Sequence, residues 1–260
     1  MTISRAQLAK ELEPGLNALF GLEYDRYENE AAEIFESEGS DRAFEEEVML
    51  SGFGTAPVKS EGSAINFDNA QETYTARYTM ETIALAFSIT EEAVEDNLYD
   101  RLAARYTRAL ARSMAQTKQI KGATVLNNAF LATSPIGDGA ALCSAAHPSL
   151  SGNQTNLLAT PADLNETSLE EILIQIAGFT DERGLKIAVR GTKLMIPKEL
   201  QFIAERIINS NLRPGSADND INAMKSMGML PEGAAVNHFF TDADAYFVKT
   251  DCPNGFKLFN

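Results

Sequence analysis

From Ser88 to Leu131 the chain runs about forty residues without a proline and with a single glycine, Gly122. Apolar positions recur there at helical spacing, at Val94, Leu98, Leu102, Tyr106, Leu110, Met114, Thr117, Ile120 and Thr124. They predict one helix of roughly 60 Å at about 1.5 Å per residue. Ser88 and Glu91 fit a capping box at its start. The repeat is mostly of four residues and drifts round the helix, without the sustained seam of a coiled coil. Glu91, Glu92, Glu95, Asp96 and Asp100 open the segment, and Arg101, Arg105, Arg108, Arg112, Lys118 and Lys121 follow. That polarity complements the helix dipole, and so many charges exclude a membrane span. What remains is a long helix that serves as the backbone of a flat subunit.

The same pattern reading places the other elements. Residues 1–38 read as helical, with Leu8, Leu12, Leu16, Leu19 and Phe20 as the stripe and a break at Pro14-Gly15. Residues 72–83 alternate, with Tyr74, Ala76, Tyr78 and Met80 on one face, and Ile83, Leu85 and Phe87 extend the run. Such a strand reaches roughly 50 Å at about 3.3 Å per residue. Paired with residues 47–67 it predicts a two-stranded finger, which is marginal alone in water and needs a surface to lie on, most naturally another subunit. Residues 132–167 read as loop. Leu169, Ile172, Leu173, Ile176 and Phe179 mark a second helix, capped by Thr167 or Ser168. Residues 187–189 and 193–196 read as strand, and Pro197 opens a further helix with Leu200, Ile203, Ala204, Ile207 and Ile208 inward. Residues 209–233 read as a long polar loop, followed by strands at 234–240, 245–249 and 256–259.

Composition narrows the function. With 260 residues and 44% apolar content the chain can bury one large core or two smaller ones. A net charge of −15 argues against sequence-specific nucleic-acid binding and against anionic membranes. No apolar run is long enough to span a bilayer, and the N-terminus lacks the apolar core of a signal peptide, which predicts a cytoplasmic protein. From Glu23 to Glu47 eleven acidic residues face two basic ones, Arg26 and Arg42. The run reads as a solvated face, with a flexible docking arm as the sharper alternative.

Candidate chemistry is sparse. Cys143, His147, His238 and Cys252 lack the tight Cys-x-x-Cys spacing of zinc sites and read as structural residues, as does the Cys143–His147 pair as a nucleophile. Residues 137–139 carry no phosphate-loop pattern, and 218–220 lack the Gly and Glu of a calcium loop. Met224, Met227 and Met229 suit either an adaptable contact surface or core beneath a loop. No catalytic, cofactor or metal residue is assigned, and the chain does not read as an enzyme.

The blocks at 212–226, 228–238, 241–247 and 249–255, with 142–148 and Leu157, Ala159 and Thr160 upstream, resemble the major capsid proteins of tailed phages. The likeness is to the Mu-like major head subunit group in particular. It covers roughly residues 80–260 and is most specific in the last third. It implies an α+β capsid fold: an N-terminal arm at 1–43 and an extended two-stranded E-loop at 44–88. A peripheral domain with the spine helix would follow at 89–184, an axial domain at 185–245, and a return to the peripheral domain at 246–260. It implies a shell of hexamers and pentamers enclosing phage DNA, with no cofactor, in the virion after assembly in the host cytoplasm. The implied partners are copies of the chain, a portal, a scaffolding protein or maturation protease, and a decoration protein. Relatives run somewhat beyond the equivalent of Asn260, and no long N-terminal scaffolding segment is seen. Lys59, Arg101, Arg105, Arg108, Arg112, Arg213, Asp218 and Asp220 are the expected inter-subunit contacts, with the four helix arginines open to solvent or neighbours. Some relatives cross-link an E-loop lysine to an asparagine, but Lys59 reads as an ordinary surface lysine. An encapsulin-type nanocompartment shell is the alternative, and a soluble metal-dependent hydrolase using Cys143, His147 and His238 a second.

Overall fold

The computed structural model describes residues 9–88, 99–213 and 220–260, with side chains from residues 17, 103 and 220 onward in these stretches. The capping box at Ser88 and Glu91 and the acidic start of the long helix therefore lie outside the described residues. The chain forms two compact units, one of Met1–Ala31 with Glu81–Gly122 and one of Ala32–Met80 with Ala123–Asn260.

In the first unit, helix α1 spans Ala9–Tyr24 without the expected break. A short helix α2 follows at Ala31–Ile34, all but its first residue in the second unit. Helix α3 is described from Tyr99 to Asn127, about 44 Å at about 1.5 Å per residue. Its buried line is not the bulky stripe of the sequence reading. It runs through Ala103, Thr107, Ala111, Ala115, Gln119, Ala123 and Leu126, while Tyr106 and Ile120 are about half exposed. Steps of four residues overshoot a full turn by about 40°, so this line winds round the helix. Alanine buries completely and lets backbones approach, and a reading weighted to large apolar residues overlooks it. Thr107 and Gln119 are the polar members of this line. Gln119 Oε1 accepts from the Ala31 N–H at 2.8 Å and its Nε2 donates to Asn29 Oδ1 at 2.9 Å. Arg108 Nε lies 3.3 Å from Glu23 Oε1, Lys121 Nζ lies 2.7 Å from Glu81, and the rings of Phe87 and Tyr106 meet at 5.9 Å.

The second unit holds a three-stranded sheet in the order β5-β4-β6. Strand β4 (Gly191–Pro197) is central, parallel to β5 (Ala234–Asn237) and antiparallel to β6 (Phe247–Thr250). Leu194 and Ile196 on one face and Met195 on the other are all buried, as expected for a strand covered on both sides. Helices α4 (Glu166–Ala177) and α5 (Gln201–Asn209) supply Leu169, Leu173, Ile176, Ala204 and Ile207 to the same core. At Gly191 an added Cβ would lie 2.6 Å from Leu173 and 2.9 Å from Val248, so only glycine lets β4 start there.

Local chemistry explains where these elements begin and end. Helix α4 starts one turn earlier than expected because Asn165 is its cap. Asn165 Oδ1 accepts from Ser168 N–H, and Ser168 Oγ accepts from Asn165 N–H. Residues 187–189 are not a strand, since Ala188 takes a left-handed φ of 52°. Pro197 ends β4 and precedes a tight turn, Lys198–Leu200, that feeds α5. The expected loop at 209–233 contains a short helix α6 (Ala223–Met227), capped by Asn222 and stopped by left-handed Gly228.

Asn222 is only 1% exposed. Its Oδ1 accepts from Lys225 N–H, and its Nδ2 donates to Ile207 O at 2.7 Å and to Ser210 O and Oγ. Asn222→Ala strands buried carbonyls and removes a cap, so it is expected to cost about 2–3 kcal/mol in chemical denaturation. A loss below about 0.5 kcal/mol would contradict that role.

Candidate assembly surface

Strands β2 (Phe44–Leu50) and β3 (Glu72–Thr79) form an antiparallel ribbon in which Phe44 faces Thr79 and Glu47 faces Ala76. The ribbon is shorter than the sequence pattern suggested, because residues 51–71 and 81–88 carry no ladder. The alternation holds at Tyr74, Ala76 and Met80, which are half-buried, against exposed Thr73, Thr75, Arg77 and Thr79, whereas Tyr78 of the expected inner face is 38% exposed. The inner face lies on its own chain. A Cβ at Gly137 would come within 2.9 Å of Ala76 and 3.2 Å of Tyr74, so the 135–141 hairpin fits closely beneath the ribbon. Arg77 spans the outer face, paired with Glu46 at 2.6 Å and lying 4.4 Å over the Phe44 ring.

Beyond the ribbon, residues 51–71 form a loop closed at its stem. Ser51 N–H donates to Gln71 O at 2.8 Å, and Gln71 N–H donates to Ser51 Oγ at 2.9 Å. Asp68 fastens the loop further out. Its Oδ2 accepts from Gly54 N–H at 2.7 Å, and its Oδ1 takes Arg183 Nη2 at 2.7 Å and Asn69 N–H at 2.9 Å. The Gly54 amide, then Arg183 and the Asn69 amide, hold the Asp68 carboxyl below the ordinary aspartate value. The pinned loop presents Phe53, Val58, Ile65 and Phe67 to solvent, with Val58 99% and Phe67 95% exposed. Scattered exposed apolar residues are normal, but several on one projecting loop mark an interaction surface.

Because its native pKa is depressed, the ionised Asp68 contributes its full tether above the unfolded carboxylate range. That contribution fades as pH falls below about 4. Asp68→Asn removes the charge at all pH values. Limited proteolysis at pH 7 should then cut the variant within 52–68 faster than the parent. Equal rates at pH 7 would show that Asp68 does not tether the loop.

The other expected contacts are dispersed. Lys59 is exposed near the loop tip. Arg105 and Arg112 are exposed on α3, while Arg108 is paired with Glu23 within the chain, so not all of the arginine face is open. Arg213 Nε bonds Glu166 at the start of α4 at 3.0 Å, and its N–H donates to Asp220 O. The Asp220 residue itself is exposed. The side chain of Arg101 and the whole of Asp218 lie outside the described residues.

The cysteine and histidines do not assemble a reactive centre. Burial pushes the Cys143 thiol up to about 11, the reverse of an activated thiolate. His147 Nδ1 pairs with Asp138 Oδ2 at 2.7 Å, not with Cys143. Among the described residues no three His, Cys, Asp or Glu side chains converge to hold a metal, and no helix is long and apolar enough to cross a membrane.

A protein-family model described as phage capsid protein matches residues 73–257. No curated protein matches the chain. The bacteriophage JBD30 capsid superposes with a TM-score of 0.61 at 11% identity, over 81% of this chain and 90% of that one. The procapsid of bacteriophage JBD30 gives 0.56 at 13% identity, over 94% and 100%. The JBD30 capsid decorated with minor capsid protein trimers gives 0.58 at 12% identity, over 80% and 89%. At these identities the structural likeness is one of fold. Neither an encapsulin-type shell nor a metal-dependent hydrolase gains support.

Proposed function

This chain belongs to the phage capsid protein family, a structural and non-enzymatic class, and on that footing we propose that it tiles an icosahedral phage head as hexamers and pentamers enclosing DNA. The observation that carries the reading is the pinned loop at 51–71, which presents Val58, Ile65 and Phe67 to solvent at the end of a ribbon its own chain supports. A lone soluble subunit gains nothing from that display. A tiling subunit uses it to cover a neighbour.

The expected domain division follows: an arm at 1–43, an E-loop at 44–88, a peripheral domain at 89–184 with 246–260, and an axial domain at 185–245. Lys59, Arg105, Arg112 and Asp220 are exposed and available to neighbouring subunits, and Arg101, Arg213 and Asp218 complete the proposed contact set. The net charge of −15 suits a wall that confines DNA without binding it. Portal, scaffolding protein and maturation protease are the partners proposed for assembly, which takes place in the host cytoplasm. A decoration protein is proposed by analogy with the trimers on the JBD30 capsid. The Mu-like grouping rests on the sequence blocks from 212 to 255.

Electron microscopy of the purified protein tests the reading. Hollow shells of uniform size are expected. Small discrete oligomers at every concentration and salt would overturn it.

A further inference from the structure

We propose that the C-terminal strand positions the ribbon, with Lys257 as the residue that sets its base. This rests on the reading of the ribbon as an assembly element. A two-stranded ribbon is marginal by itself, so its direction depends on what holds it. Strand β7 (Lys257–Phe259) pairs in parallel with β1 (Glu36–Glu38), more than two hundred residues away in sequence. Glu36 N–H donates to Phe256 O, Asn260 N–H to Glu38 O, and Ser40 N–H to Asn260 O. The Phe35 and Phe256 rings meet edge to face at 5.8 Å, and Phe35 and Ile34 are buried. Glu33, on the same short segment, pairs with Lys193 of the central strand at 2.6 Å. Strand β7 is therefore fastened to the core.

From this fixed strand two side chains reach the ribbon. Lys257 Nζ lies 2.6 Å from Glu47 Oε1 on β2 and 3.5 Å from Glu38 Oε1 on β1. The Phe259 ring lies 5.5 Å from that of Tyr78 on β3, and Tyr78 Oη donates to Glu47 Oε2 at 3.4 Å. Lys257 thus bridges one carboxylate on the core side and one on the ribbon. Its side chain is only 12% exposed, so water competes weakly for it. The Glu47 bond, opposed by desolvation and reinforced by both carboxylates, holds its ammonium above the ordinary lysine value.

Hydrogen exchange on the unassembled full-length chain, together with microscopy of shells, tests this. In Lys257→Met, exchange within 44–50 and 72–79 should rise about tenfold, while exchange in β4 stays unchanged. Lys257→Arg, which keeps the charge and reaches both carboxylates, should recover most of the protection. Shell yield should fall in the first variant and recover in the second. Should Lys257→Met fail to fold, Tyr78→Phe removes only the hydroxyl bond to Glu47 and should raise ribbon exchange alone. Unchanged ribbon exchange in the folded variants would overturn the positioning role. If the parent never forms shells while ribbon exchange still rises, the assembly reading fails and the positioning of the ribbon stands.

Discussion

Replacing Val58, Ile65 and Phe67 together by serine is expected to abolish shell formation and leave the subunit folded. These side chains stand 99%, 69% and 95% exposed, so the isolated chain loses almost no packing when they are removed. On a neighbour each would bury surface worth about 1.5–3 kcal/mol, or roughly 4.5–9 kcal/mol per loop. Part of that offsets the cost of association, which leaves little margin for a contact stripped of all three. The contact recurs at every subunit, so a modest loss per copy becomes an all-or-none failure of the shell. Sedimentation velocity should show only small species for the triple variant under conditions in which the parent assembles, and the two unassembled subunits should share the same thermal midpoint. Normal shells from the variant would show that the loop does not carry the interface.

The second large effect lies in the core. Ile196→Ala is expected to destabilise the chain by about 2–5 kcal/mol. Ile196 is fully buried on the central strand, in register with Val236 of β5 and within the cluster of Leu169, Leu173 and Ala204. The loss combines removed transfer energy with a cavity that a sheet flanked by two helices cannot easily collapse. At roughly 2–4 °C per kcal/mol for a chain of this size, calorimetry should show a clear fall in melting temperature. Ile174→Ala is the matched control. Ile174 is 73% exposed on α4, and its loss should stay within about 0.5 kcal/mol. Equal costs at the two positions would mean that β4 is not the core strand.

Periodic segments were the legible ones. The ribbon faces, the inward residues of α4 and α5, and the central strand follow from spacing because each buries a repeated face. The long helix was legible as an element, but its buried line was not, since Ala103, Ala111 and Ala115 carry little hydrophobic signal. Short elements fixed by local bonds escaped. Helix α6 has five residues, and its signal lay in Asn222 and Gly228, not in a period. Strand β7 was legible as a short strand at 256–259, but β1 lay within a stretch read as helical, and no local pattern encodes the pairing of the two. Lys257 was missed because its partners, Glu38 and Glu47, lie more than two hundred residues away in sequence. Residues 47–67 read as the second strand of the finger, and only the structure shows that most of that stretch is a loop fastened by Asp68 and Arg183. The arginine face of α3 was legible in outline, though Arg108 turns to Glu23 within the chain.

The most direct measurement is a cryo-electron microscopy reconstruction of particles assembled from the purified chain. The account predicts closed icosahedral shells in which the 51–71 loop of each subunit, with Val58 and Phe67 buried, lies on the next copy. Shells whose loops project freely into solvent, or the absence of any closed particle, would contradict it.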